Sequence, residues 1–501
     1  RILPRPDPSG QPWWRFLAGL DVDTLTERRL RRHVAMMLDA AHGSPNAAQL
    51  PRPKLPTRLR SQAEAFLVLR RNPLELWGPP AYRDLVLPGA FLGRQQVLLN
   101  DPVAIRHVLL GNHENYVRNE AARRVLRPVL GDGLFLAEGE AWRHQRRVIA
   151  PALAPRVMPI LSRHIVAVSE RFERRIAASG TGPVLLMDLL QLLTLDIAGQ
   201  SMFSLEMGAF GAELRGLLFR YAGDFAKVGL LDMLMPAGWT TPLDRGRARF
   251  RQDWLALMDR IIAARDAQGQ PKAGEPRDLF DLLRAARDPE TGQGFGHALL
   301  RDEISTLILA GHETTAVTLF WACYAAARLP EHQAAIAAEA DGLDLSEDGA
   351  AQSVQKLVFT RAFLDEALRL YPPAYLLVRQ ARQADRLGAL PIAAGTVVSI
   401  SPWILHRHEA HWDRPDEFDP GRFLPGATPP DRMVYMPFGA GPRICVGAQF
   451  ALTEATLVLA RLLRRFRLTL PLGDAVLPRG LVTTQPDRPV RFRLAPRNRA
   501  P

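Results

Sequence analysis

Phe438-Gly-Ala-Gly-Pro-Arg-Ile-Cys-Val-Gly447 sets a lone cysteine, Cys445, among glycines and a proline. Beyond it Ala451, Ala455, Val458 and Leu462 recur at helical spacing, which predicts a helix starting just past the thiol. The N-terminal end of a helix carries free N–H groups and partial positive charge, so a thiolate is favoured there. The glycines permit positive φ and let the main chain approach a large flat ligand. On this segment alone a structural cysteine in a turn stays open. A dinucleotide-binding loop is opposed by context, because the third glycine is displaced from Gly439 and Gly441 and no acidic residue follows a strand at the required distance.

Outward from this loop, residues 297–329 form the longest helical candidate, and Pro330 stops it. From Ile304 to Ala327 the segment is apolar nearly all round, as expected of a helix through the middle of a large core. His312, Glu313, Thr314 and Thr315 at its centre count against a membrane span. Gly311 costs about 1 kcal/mol relative to alanine inside a helix, so Ala310-Gly-His-Glu-Thr-Thr315 invites a functional reason. Glu313 offers a proton source and Thr314 a hydroxyl that orients water; a core helix with polar kink residues is the alternative. Glu366 and Arg369 stand at i,i+3 on a helix ending at Tyr371-Pro-Pro373, a pairing that by itself reads as a surface ion pair. Strand-like runs occur at Gln96–Asn100 and Thr396–Ser401, and Phe466, Leu468, Leu470 and Val490, Phe492, Leu494 alternate with period two. The fold class is therefore mainly α with small β-sheets.

The composition is that of a globular protein: 501 residues, 47% hydrophobic and 23% charged. Two cysteines exclude a disulfide framework and suit a reducing compartment, with Cys323 as a small core residue. The net charge of +12 is spread along the chain with no basic stripe or aromatic interleaving, which excludes a nucleic-acid module and favours acidic protein partners. Residues 1–55 read as an N-terminal extension and linker, with Trp13 and Trp14 opening a short amphipathic stretch and Pro51 to Pro56 as the linker. Residues 56–501 read as one catalytic domain. No secretory signal or integral membrane span is evident, so the expectation is a cytoplasmic, monomeric protein. His406, His408 and His411 lack companion ligands at a zinc spacing and read as loop histidines.

The Cys445 segment resembles the haem-binding loop of the cytochrome P-450 family, Phe-x-x-Gly-x-Arg-x-Cys-x-Gly, at Phe438, Gly441, Arg443, Cys445 and Gly447. The resemblance spans roughly residues 80–500 through four motifs in order. It implies the family's triangular, single haem domain and haem b ligated by Cys445, the metal ligand. Thr314 would then support dioxygen by hydrogen bonding and Glu313 would relay protons, with Ala310 and Gly311 leaving room beside the haem. Trp142, Arg146, Arg379 and Arg443 would meet its carboxylates, and Phe438, Gly439 and Gly447 would complete the loop. Glu366 and Arg369 would be buried and joined by Arg422. The implied activity is a monooxygenase that inserts one oxygen atom into a C–H or C=C bond of a small lipophilic substrate. The chain carries no flavin or iron–sulfur module after the Cys445 helix, so electrons are expected from a ferredoxin or flavodoxin-type donor with its reductase, docking near Arg143 and Arg147. A haem-thiolate isomerase or dehydratase, or a haem sensor without turnover, stays open. Substrate contacts are expected from Asn112–Phe135, Phe225–Trp239, Ala374–Leu377 and Leu481–Thr484.

Overall fold

The structure, a computed structural model, describes residues 49–497 apart from 59–60, 179, 181, 227, 236–238, 270–274 and 472–474. Most of the expected extension, including Trp13 and Trp14, lies outside the described residues. Residues 49–56 rest on the body: Leu50 and Pro53 are buried, Tyr371 Oη donates to the Pro51 carbonyl at 2.8 Å, and Arg52 pairs with Asp416 at 2.9 Å.

The helices that matter for the site are α1 (Gln62–Arg71), α2 (Glu120–Leu130), α3 (Gly139–Ile149), α4 (Met158–Ala178), α5 (Leu186–Phe203), α6 (Gly208–Arg220), α7 (Pro242–Asp266), α8 (His297–Arg328), α9 (Val358–Leu370) and α10 (Ala448–Arg465). Local chemistry starts several of them. Ser61 and Glu64 close a reciprocal capping box on α1, at 3.2 and 3.0 Å, and Asn119 Oδ1 accepts from Ala122 N at 2.8 Å to cap α2. The apolar run read from the sequence is α8, ending at Leu329 because Pro330 opens the next helix. It packs against α2, α5, α9 and α10. Cys323 on α8 is wholly buried, and burial pushes its thiol up to about 12. Among the described residues no helix is long and apolar enough to cross a membrane.

Strands β1 (Val86–Phe91), β2 (Arg94–Leu99), β3 (Tyr116–Val117), β5 (Leu377–Ala381) and β8 (Val397–Ile400) form a sheet in the order β1-β2-β8-β5-β3, and β6 (Asp385–Leu387) pairs with β7 (Leu390–Ile392). Its β2–β8 pair is parallel and the others antiparallel. The alternating C-terminal segments become β9 (Phe466–Thr469) and β12 (Arg491–Pro496), antiparallel, with β4 (Val184–Leu185) on the other edge of β12. Phe466, Leu468, Phe492 and Leu494 point inward while their neighbours are exposed, as the period-two reading requires. The hairpin β10 (Pro478–Gly480) with β11 (Thr484–Pro486) is tied to α8, because Trp321 Nε1 donates to the Thr484 carbonyl at 2.6 Å.

Glu366 and Arg369 are both fully buried, so the surface reading of this pair fails. Arg369 donates to both Glu366 oxygens at 2.7 Å, and its remaining N–H groups reach the carbonyls of His406, Pro415 and Glu417 at 2.7–2.8 Å. Asp419 N donates to Glu366 Oε1 at 2.7 Å, and Arg422 Nε lies 3.6 Å from the same oxygen. His406 accepts from Met436 N at Nε2 (3.0 Å), so the proton sits on Nδ1 and points at the Arg369 carbonyl at 3.2 Å. Burial and the neighbouring Arg369 hold this imidazole neutral, its pKa pushed down to about 3. His408 and His411 also bond backbone carbonyls, and no metal-holding cluster occurs among the described residues.

The turn before α3 hangs on the start of α8. Asp132 N donates to Asp302 at 3.0 Å, and Leu134 N donates to both Glu303 oxygens at 3.1 and 3.0 Å. Burial, reinforced by Asp302, pushes Glu303 up to about 8 against the pull of the Leu134 N–H.

Two outcomes follow from these buried groups. Arg369→Ala strands the Glu366 carboxylate and is expected to cost about 3–5 kcal/mol, read as a lower urea midpoint. Glu303 binds its proton more tightly folded than unfolded, so the stability it contributes below about 4.5 is lost as pH rises toward about 8. Glu303→Gln therefore gains on the parent protein across that window in melts at stepped pH, and a gap independent of pH would refute the assignment.

Candidate active site

The loop before α10 is built on close backbone contact. Gly439 and Gly441 have φ of +73° and +72°, and a Cβ on Gly441 would stand 2.0 Å from the Leu109 carbonyl oxygen. Only glycine serves at Gly441. Cys445 N donates to the Phe438 carbonyl at 2.9 Å, which closes the loop and presents the thiol with exposed surface, beside half-exposed Ile444. Surrounding protein pushes the Cys445 thiol up, although the Gly447 N–H and the Arg146 charge both pull it down. The helix start and Arg146 pull the thiol down without overcoming its surroundings, and a metal cation at the sulfur would add to that pull.

On α8, Glu313 and Thr314 are only partly buried, while His312 and Thr315 beside them are buried. Ala310 is exposed in the middle of this largely buried helix, and a Cβ on Gly311 would meet nothing within 4 Å. Thr314 Oγ1 donates to the Ala310 carbonyl at 2.5 Å, so its proton is committed and its lone pairs remain on offer. Glu313 Oε1 accepts from Thr483 Oγ1 at 2.8 Å and Gln485 Nε2 at 2.6 Å, both from the β10–β11 hairpin. Neither partner was legible in the sequence, since each lies some 170 residues away.

Arginines crowd one edge of the Cys445 loop. Arg443 stacks over Trp142, 4.7 Å from its ring centroid, and donates to the Ala137 carbonyl and the Glu138 carboxylate. Arg146 donates to the Ile444 carbonyl at 2.8 Å, and Arg379 to the carbonyl of its neighbour Val378 at 2.9 Å. Arg118, which the sequence reading missed, joins them 3.8 Å from Glu138. Burial lowers the pKa of Arg118, Arg379 and Arg443, that of Arg379 to about 10, helped by the charges of Arg379 and Arg443 on Arg118, of Arg443 on Arg379 and of Arg382 on Arg443. Among the described residues Glu138 is the carboxylate that pairs with this group, and one buried nitrogen each on Arg118 and Arg443 lacks any bond. Such an excess of buried cations calls for an anionic ligand. Haem fits: its carboxylates would meet these guanidiniums, its iron the exposed Cys445 sulfur, and its face the open Ala310–Gly311 surface.

A cavity of about 1070 Å³ adjoins Glu313. All four segments expected to touch substrate contribute, through Asn119, Met233, Tyr375 and Leu481 among others. The sequence reading missed the share of β1 and β2, through Leu87, Phe91 and Val97, and of α1, through Ala65 and Leu69. Arg143 and Arg147 are less available for docking than expected: Arg143 pairs with Glu114 and Glu140, and Arg147 bonds the fully buried Asp288 at 2.9 Å.

The sequence model of the family described as Cytochrome P450 matches residues 88–489. The chain belongs to the cytochrome P450 family. This P450 is 34% identical to cyclooctatin synthase of Streptomyces melanosporofaciens, over 82% of its own length and 89% of that protein. It is 31% identical to cyclooctat-9-en-7-ol 5-monooxygenase of the same organism, over 80% and 86%, and 33% identical to the chloroplastic cytochrome P450 97B2 of Glycine max, over 75% and 74%. The crystal structure of the cytochrome P450DA heme domain superposes with a TM-score of 0.74 at 26% identity, covering 90% of this chain and 98% of that one. The P450 is thus a haem-thiolate monooxygenase with the mainly α fold of such domains, and it uses a substrate, dioxygen and a redox partner.

Because the Gly441 position admits no Cβ, Gly441→Ala is expected to cut haem incorporation at least about tenfold, while Gly447→Ala, which meets only the Cys445 sulfur at 4.0 Å, is milder. The ratio of haem to protein absorbance in the purified variants measures this.

Proposed function

We propose that this P450 hydroxylates a large, mostly apolar substrate held in the cavity beside Glu313, and that Cys445 would hold the haem through its sulfur. The observation that carries the reading is the cavity itself: about 1070 Å³, lined mainly by apolar side chains, and reaching Glu313 on the same turn of α8 as Thr314. Two bacterial relatives support the substrate class by name, one being a monooxygenase of cyclooctat-9-en-7-ol. When bound, haem supplies the oxygen-insertion chemistry, favoured by thiolate ligation.

The chain's residues supply placement, charge and protons. Arg118, Arg146, Arg379 and Arg443 would neutralise and orient the cofactor's carboxylates, with Trp142 holding Arg443 in place. Thr314, its own proton bound to the Ala310 carbonyl, accepts a hydrogen bond from a water or a substrate hydroxyl. Glu313 is held by Thr483 and Gln485 through one oxygen, which fixes the carboxyl while its second oxygen takes neither of these bonds and is available to pass protons. Electrons come from an acidic ferredoxin or flavodoxin-type protein, which the net charge of +12 favours. Two unbridged cysteines suit the cytoplasm.

The test is spectral. A panel of lipophiles graded in size, added to the holoenzyme, is expected to shift the visible spectrum most for molecules large enough to fill the cavity. Cys445→Ser is expected to abolish the thiolate band of the reduced carbon monoxide complex. Retention of that band in the variant would refute Cys445 as ligand, and a uniform lack of response to apolar ligands would refute the substrate class.

A further inference from the structure

Glu138 is the residue from which α3 starts, and the free N–H groups of that helix would welcome a carboxylate. Its side chain makes no bond to them. It turns instead to two arginines from other parts of the chain. Arg118, between β3 and α2, donates its backbone N–H to Oε1 at 3.3 Å and holds its guanidinium 3.8 Å from the same oxygen. Arg443, two residues before Cys445, donates to Oε2. All three side chains are mostly buried, with 12–16% of their surface exposed.

Aromatic rings hold both guanidiniums. Arg118 lies over Phe135 at 4.5 Å and Arg443 over Trp142 at 4.7 Å, each measured to the ring centroid. Arg146, further along α3, reaches the Ile444 carbonyl, so the helix that Glu138 opens also brings a cation next to Cys445. The charge of Glu138 acts on Arg118, Arg379 and Arg443, opposing the fall in pKa that burial imposes on each. One negative charge is thus shared by three of the four cations placed at the haem carboxylates.

We infer that Glu138 sets the reduction potential of the bound haem, as the internal counter-charge of the arginine cluster. The inference rests on these arginines meeting the haem carboxylates and goes beyond that reading. The step affected is one-electron reduction of ferric to ferrous iron, with the redox partner as the reductant. The added electron makes the site more negative, so a nearby anion opposes reduction and a nearby cation favours it. Among mostly buried groups this influence escapes much of the screening that salt imposes at a surface. The driving force for electron entry is therefore adjustable at a residue that lies outside both the Cys445 loop and the substrate cavity.

The contact between Glu138 and Arg118 permits a test in which structure and charge give opposite answers. Glu138→Gln and Arg118→Gln break the same contact, but one removes an anion and the other a cation. Anaerobic redox titration of the holoenzyme, followed by haem absorbance, reads only molecules that carry haem, so reduced loading does not obscure the shift. Glu138→Gln is expected to raise the potential by the equivalent of about tenfold in the reduction equilibrium, about 59 mV for one electron. Arg118→Gln is expected to lower it, and the double variant to return near the parent. Glu138→Asp keeps the charge and is expected to stay near the parent value. Shifts of both single variants in one direction would mean that the contact only holds the segments together, and would overturn the inference. A lowered potential in Arg118→Gln without a rise in Glu138→Gln counts against Glu138 alone. No shift in either variant would detach the arginines from the haem carboxylates and take the inference with it. The reduced carbon monoxide spectrum of each sample reports separately that thiolate ligation is intact.

Discussion

The buried contact between Glu366 and Arg369 is the constraint from which the active site is assembled. Two charges with no exposed surface persist only when every N–H and lone pair has a partner, and here the partners are backbone atoms of the loop running from His406 to Asp419. The order continues through one side chain: His406, fixed by Arg369, accepts from Met436, and two residues on, the Phe438 carbonyl accepts from Cys445 N. Hydrogen bonds and two residues of chain therefore link the interior of α9 to the backbone of the residue carrying the thiol. The neutral state of His406 matters to this link, since a doubly protonated ring would have no acceptor for Met436 N.

Charge is handled in opposite ways on the two sides of the site. Around Glu366 both carboxylate oxygens are met by Arg369 and the Asp419 N–H, with Arg422 close by. At the edge of the Cys445 loop, Arg118, Arg146, Arg379 and Arg443 crowd together with Glu138 as the paired carboxylate among the described residues, and repulsion adds to burial in depressing three of their pKa values. The first arrangement stabilises the fold by being complete. The second makes binding of a dianionic cofactor a source of stability, because the ligand supplies the charge the chain withholds.

Much of this was legible in the sequence, for reasons that are local. The glycines of the Cys445 loop, the apolar length of α8 and the alternation in β9 and β12 each express backbone geometry within a few residues, and each appears where expected. What escaped were partners brought together by topology. Arg118 follows a two-residue strand, Thr483 and Gln485 arrive on a hairpin, and β1, β2 and α1 wall the cavity, with no periodicity to mark any of them. The spacing of Glu366 and Arg369 alone pointed to the surface, since i,i+3 pairs look alike on a surface and in a core, whereas the family resemblance implied the burial that the structure shows. Arg143 and Arg147 show the converse, two apparent surface cations that the fold had already paired.

The thiol carries the last step of the argument. In a protein that activated its own cysteine, helix N-terminus, backbone donor and nearby arginine would together depress the pKa; here Gly447 and Arg146 act in that direction and burial still prevails. A thiol raised by its surroundings stays protonated and is a poor nucleophile. It becomes a thiolate when a metal cation displaces the proton, because that interaction outweighs desolvation. The same burial that penalises the free thiolate then strengthens its bond to the metal in a low dielectric. The loop is thus tuned for a sulfur that is inert alone and strongly donating once ligated, the condition a haem-thiolate centre requires.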